Sequence, residues 1–361
     1  MHSIIEITNF LFQPAVFFAL STVVFWAMIR FREKWTEPHA AVLLLAGAVA
    51  ALGLSLLNGH FRETASQADH FPIFLMLFST GFFTWLSLRQ AVVNDRRLAQ
   101  GKPPVEKETS DTMVYVWPDL VFIELIIAVI GLAALLAWSL LLRAPLEAAA
   151  NPAWTPNPSK APWYFVGLQE MLVYFDPWLA GVVIPALIIL GLMAIPYIDR
   201  NPGGSGYYSF KGRKYAVMPF LFGFLVLWIS LIFVGTFLRG PGWNFFGPFE
   251  PWDENKTVVL NNVNLSEFFW ARLPGIGLPN NPWIRELPGL LVLAFYFGGI
   301  PFFLTRRVPF FRNLSGKLGK ARYAVLLFLS LSMAFLPLKM VLQWVFHLKY
   351  IVSIPEFFFN I

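Results

Sequence analysis

The sequence predicts an all-α protein that crosses a membrane about eight times, and three observations carry that expectation. Hydrophobic residues make up 57% of the 361-residue chain and charged residues 13%, against about 25% charged in a soluble domain. The mean hydropathy is +0.61. The apolar residues gather into eight runs, each near the roughly 20 residues that a bilayer-crossing helix needs. So little charge cannot cover a soluble surface, which excludes a soluble enzyme, a disordered chain and a fibrous one. The net charge of +6 does not point to nucleic acid, because the basic residues sit in the short gaps between apolar runs. The chain has no cysteine, which removes disulfides, thiolate zinc sites, iron–sulfur ligation and covalent c-type haem from this polypeptide.

The eight runs lie at 13–31, 39–57, 71–90, 117–142, 178–198, 216–238, 288–305 and 322–347. The N-terminal MHSIIEITNF has no basic region and no small-residue cleavage site, so it does not read as a removable signal peptide. Alternate connections hold 18 of the 27 basic residues, among them Arg30, Arg96, Arg200 and Arg306. The other side collects only scattered ones, such as Arg62, Arg143, Lys160 and Arg239. The positive-inside rule then places both termini on the outer, periplasmic side, most simply of a bacterial inner membrane. Two long outer loops, 143–177 and 239–287, are rich in Trp, Pro, Gly and Asn. Such aromatic loops also suit plain interfacial anchoring in the lipid bilayer. The polar connection 91–116 suggests a division into a three-helix extension, 1–110, and a five-helix module, 111–361.

The module carries a resemblance. Trp117-Pro118-Asp119 opens the fourth run, Asn151-Pro152 and Thr155-Pro156 follow its end, and Trp163-Tyr164-Phe165 precedes the fifth. From about Trp117 onward the chain resembles the C-terminal half of cytochrome b, the subunit IV of cytochrome b6f-type (bc-type) complexes. The likeness is good over 117–238 and looser beyond, and 1–110 matches nothing in that family. The resemblance implies a subunit of a quinol:cytochrome c oxidoreductase in an electron-transport chain coupled to proton translocation. It implies a quinol-oxidising loop at Pro162, Trp163 and Tyr164, a shared quinol/quinone pocket, and a docking surface for a Rieske iron–sulfur protein. The other partners it implies are a haem-carrying cytochrome b6-like subunit and a c-type cytochrome, with haem b on the partner. The family's PEWY glutamate is missing here, because Pro162 stands in its place. Quinol oxidation releases protons to the outer side, and a nearby carboxylate assists as a general base. Glu170 in GLQEMLVYFDPW is the candidate replacement, with Asp176 behind it.

Other polar residues have competing readings. The five histidines, His2, His39, His60, His70 and His347, do not form two pairs spaced 13–14 apart, the pattern of bis-histidine haem ligation in cytochrome b. Glu124 lies about 10 Å into the fourth run at 1.5 Å per residue. With Asp119 it suits an inner-side quinone or proton path, or equally a polar contact with a neighbouring subunit. Lys339 follows Pro337 and suits snorkelling. The Asn255 and Asn264 sequons carry meaning only in a eukaryotic host. Two other functions compete: a non-catalytic membrane anchor or scaffold subunit of a redox complex, and, more distantly, a transporter.

Overall fold

A computed structural model describes residues 2–67, 70–109, 114–141, 149–199, 206–259, 261–272, 275, 277–357 and 359–361. Arg143, Arg200 and the division at 110–111 fall outside the described residues. The main helices are α1 (His2–Leu11), α2 (Pro14–Arg30), α3 (Pro38–Ser55), α4 (Phe71–Ala99), α5 (Val116–Leu141), α6 (Val166–Met171), α7 (Leu179–Ile198), α8 (Phe210–Leu238), α9 (Leu287–Arg307) and α10 (Lys320–Phe346). Seven of them, α3, α4, α5, α7, α8, α9 and α10, are long and apolar enough to cross a membrane. The bent pair Ile5–Leu11 and Pro14–Arg30, whose axes meet at 76°, is an eighth if its two helices form one span. The chain is an integral membrane protein of the all-α class. The bend falls where Pro14 forces Gln13 away from helical backbone.

Proline also accounts for several of the other irregularities. Wide, five-residue helical turns occur at Leu179–Val183, just before Pro185, and at Phe295–Gly299, just before Pro301. A proline lacks the N–H for the carbonyl four residues back and clashes with it, so the preceding turn opens. Pro118 lies in the same kind of turn at Val116–Leu120, where Trp117 leaves helical geometry.

The chain forms two compact units. The first contains residues 1–27, 157–202 and 215–361. Its core joins Met171, Tyr174 and Phe175 to Leu227 and Leu231 of α8, Phe335 and Met340 of α10, and Ile351 and Val352 of the C-terminal segment. The chain's first 27 residues are part of this unit. Phe12, Phe17 and Phe233 stack on one another with centroids 5.3–5.7 Å apart, and Phe18 meets Trp344 edge-on. A short hairpin, β1 (Ser353–Ile354) with β2 (Phe359–Asn360), closes the C-terminus.

The second unit contains 28–156 and 203–214. A polar cluster at the C-terminal half of α4 organises it. Asn94 donates to Glu106 (2.7 Å) and to the Tyr208 carbonyl (2.9 Å), and Asp95 accepts from the Ser209 hydroxyl (2.7 Å) and the Lys211 amide (3.0 Å). Glu37 pairs with Arg89 and Arg96. By contrast, α3 and α5 bury no residue.

Candidate functional site

The first unit brings its two long loops together around one carboxylate. Pro162 accepts from the amides of Phe165 (2.8 Å) and Val166 (3.1 Å), so Trp163 and Tyr164 turn directly into α6. Gln169 fixes that turn, accepting from the Ala161 amide and donating to the Ser159 carbonyl. One position on, Glu170 points inward and is fully buried. Its Oε1 accepts from Arg239 Nη2 at 2.6 Å, and its Oε2 accepts from Arg239 Nε at 2.9 Å and from the Trp243 indole at 3.1 Å. This is a two-pronged guanidinium–carboxylate pair, the strong geometry for such groups.

Local structure explains how residues 69 positions apart meet. The small residues Gly167 and Gly235 let α6 and α8 approach closely: a Cβ at Gly235 would lie 3.1 Å from the Val166 carbonyl oxygen. Arg239 leaves the end of α8 in extended backbone, and its Nη1 donates to the Trp243 carbonyl at 3.0 Å. Gly242 and Trp243 both take left-handed backbone, at φ 65° and 58°. That conformation is uncommon for a bulky residue, and the turn it makes brings the indole to Glu170. The loops are joined again where Asn157 accepts from the Gly242 amide and Lys160 donates to the Thr236 carbonyl. Lys160 also lies over the Trp252 ring.

Tyr174 completes the site. Burial, then the Glu170 charge, pushes its hydroxyl well above the ordinary phenol range. Burial pulls the Arg239 guanidinium down, but the Glu170 charge and hydrogen bonds outweigh it and leave Arg239 above its ordinary value. Glu170 and Tyr174 line a narrow crevice with Phe17, Phe18, Ser230 and Trp344. The candidate loop residues lie elsewhere: Pro162 and Tyr164 are exposed, Trp163 is half-buried, and none of the three lines this crevice. Asp176 accepts from Asn360 at 2.6 Å. Asp119 and Glu124 belong to the second unit; Asp119 accepts from the Tyr115 amide (3.4 Å), and Glu124 is exposed on α5. His70 is buried, with Nδ1 against the Thr64 carbonyl. Among the described residues no group of three or more His, Asp or Glu is placed to hold a metal ion.

Arg239, Trp243 and Tyr174 are site residues that reading the sequence missed. The one available signal for Arg239 was an isolated arginine at the outer end of an apolar run.

The family comparison falls on part of this stretch. Residues 149–238 match the family model described as cytochrome b (C-terminal)/b6/petD. The cytochrome b C-terminal resemblance is thereby shown for the segment that holds the Trp163-Tyr164 turn, α6, α7 and α8. Trp117-Pro118-Asp119 precedes the matched residues. Among curated proteins, the chain is 30% identical over 120 residues to a menaquinol:cytochrome c reductase cytochrome c subunit of Geobacillus thermodenitrificans, covering 30% of this chain and 48% of that one. It is 34% identical over 97 residues to a cytochrome b of Allochromatium vinosum, covering 26% and 23%. A Bacillus subtilis protein named like the first is 28% identical over 121 residues, covering 30% and 46%. The chain thus spans about half or less of the length of these relatives. No solved structure matches it.

Proposed function

We propose that the chain is a subunit of a bc-type quinol:cytochrome c oxidoreductase, sitting in a bacterial inner membrane with both termini outside. The observation that carries this reading is the family match over 149–238, the segment that presents exposed Tyr164 and Phe165 and buries Glu170. In this proposal Pro162, Trp163 and Tyr164 form a wall of the outer quinol pocket, and the loop face around them receives a Rieske protein. Quinol gives one electron to the Rieske centre and one to haem b on a cytochrome b6-like partner, and releases two protons outside. A c-type cytochrome takes the electron onward. Bis-histidine haem b does not fit the donor set of this chain, whose histidines lack the paired spacing, so no step here runs through a haem on this polypeptide. Glu170 remains the candidate base, and it takes up a proton by exchanging its bonds to Arg239 for one to the quinol hydroxyl. Asp119 and Glu124 are candidates for an inner-side quinone or proton path.

A specific observation favours the second reading, that of a membrane scaffold. Both Glu170 oxygens are already committed to Arg239 and Trp243, as expected of a structural pair. Quinol-to-cytochrome c electron transfer by the purified complex separates the two readings. If Glu170 is the base, Glu170→Gln lowers turnover at least tenfold with haem content intact, and the double variant Glu170→Gln/Arg239→Gln stays equally slow. If the pair is structural, the double variant, which leaves no unpaired charge, regains the turnover that either single variant loses.

A further inference from the structure

The connection between α9 and α10 is strongly basic and contains no acid. Arg306, Arg307, Arg312, Lys317, Lys320 and Arg322 all fall in it or at its edges, and no Asp or Glu stands between Glu286 and Glu356. The other basic connections hold acids of their own. Glu37 pairs with Arg89 and Arg96, Glu108 pairs with Arg97, and Asp199 precedes Arg200. Here, Arg306, Arg307, Arg312, Lys320 and Arg322 are exposed and form no ion pair among the described residues. Lys320 and Arg322 sit in the first turn of α10, where the helix dipole favours negative charge.

The connection is also held in a fixed shape. Val308 leaves helical backbone, a connecting helix runs Pro309–Leu318, and Gly319 at φ 81° breaks it from α10. The Thr305 and Tyr323 hydroxyls meet at 2.7 Å and tie the end of α9 to the start of α10. Along the connecting helix Phe311, Leu314 and Leu318 are half-buried at helical spacing, and Arg312 and Lys317 are exposed. Two phenylalanines stay exposed among the cations. The Phe302 ring lies 4.3 Å under the Arg306 guanidinium, and the Phe310 ring is 5.9 Å from that of Tyr215. A short segment joining two crossing helices lies at a bilayer face. Rings exposed among cations at that level suit headgroup depth. Loop charge that only orients a chain in the membrane requires neither the rings nor the fixed shape.

We propose that the Arg306–Arg322 connection binds anionic phospholipid headgroups, with the phosphates against its cations and Phe302 and Phe310 among the upper acyl chains. The lack of any acid selects the sign of the ligand, and the exposed rings select a lipid. This inference stands whether or not the chain takes part in quinol oxidation.

The test uses the full chain, with any subunits that purify with it, in phosphatidylcholine vesicles that contain photoactivatable phosphatidylglycerol or, for comparison, photoactivatable phosphatidylcholine. Crosslinked peptides are then mapped. The expected result is that phosphatidylglycerol labels 302–322 at least tenfold more than phosphatidylcholine does, whereas the ion-paired stretch 89–107 shows no such excess. Arg306→Gln/Arg307→Gln/Arg312→Gln lowers the excess at least tenfold, with labelling of the other helices unchanged as the control for insertion. Phe302→Ser/Phe310→Ser lowers labelling of 302–322 with every cation retained. Equal labelling by the two lipids, an equal excess at 89–107, or an excess that survives the triple variant overturns the proposal. Competition by inorganic phosphate beyond that of chloride at matched ionic strength would make this a free-phosphate site instead. A co-purifying acidic polypeptide that shields 302–322 from both lipids would make it a protein interface, and either result overturns the lipid assignment.

Discussion

At the scale of single residues, the buried pair Glu170–Arg239 dominates. Removing one member of a buried ion pair costs about 3–5 kcal/mol, because the other is left charged and unpaired, whereas removing both costs far less. Arg239→Gln alone, and Glu170→Gln alone, are therefore each expected to lower unfolding free energy in mild detergent by about 3–5 kcal/mol. The double variant is expected to lose much less than the sum. A measured sum that simply adds would show that the two side chains are not coupled, against the 2.6 and 2.9 Å contacts between them. Trp243 and Tyr174 belong to the same unit of interaction, so single-residue costs here do not partition into separate contributions.

At the scale of elements, the close approach of α6 and α8 is what sets that pair in place. A side chain at Gly235 meets both the Val166 carbonyl and its methyl group at 3.1 Å. Gly235→Val is expected to cost about 1–3 kcal/mol through overpacking. In its background the Glu170–Arg239 coupling should shrink, which a repeat of the double-mutant cycle would read out; undiminished coupling would mean the glycine is not the spacer. The same elements show what was legible in the sequence. Each crossing helix could be seen as an uninterrupted apolar run, because the bilayer imposes one length on all of them. Glu170 was legible as a carboxylate shortly behind the Trp163-Tyr164 turn. Its partner was not legible, because Arg239 lies at the end of another helix, one residue beyond the matched segment. Nor was the membership of residues 1–27 in the first unit, since the stacking of Phe12 and Phe17 on Phe233 is a pairing of distant phenylalanines in a chain that has 38 of them.

At the scale of the whole molecule, the titratable contacts define the pH range over which the fold keeps its stability. On the acid side, the hydrogen bond from Arg89 holds Glu37 below the usual carboxylate range, and the one from Arg285 does the same for Glu356. A depressed carboxylate adds stability that is fully present above its unfolded value of 4.5 and is lost as pH falls through the folded value. Both carboxylates reach solvent, so this acid limb should be shallow and should flatten in high salt. On the alkaline side the case is different. Tyr174 is buried beside Glu170, and its hydroxyl titrates above the unfolded value of 10.0. As pH rises past that value, the unfolded chain ionises this phenol while the folded chain keeps it neutral, so stability falls. Because the group is enclosed, this limb should be steep and insensitive to salt. Tyr174→Phe removes its source, and Glu37→Gln with Glu356→Gln removes much of the other. The measurement is the unfolding midpoint from pH 4 to pH 11 at low and high salt, and an alkaline limb that survives in Tyr174→Phe would assign it to another buried group.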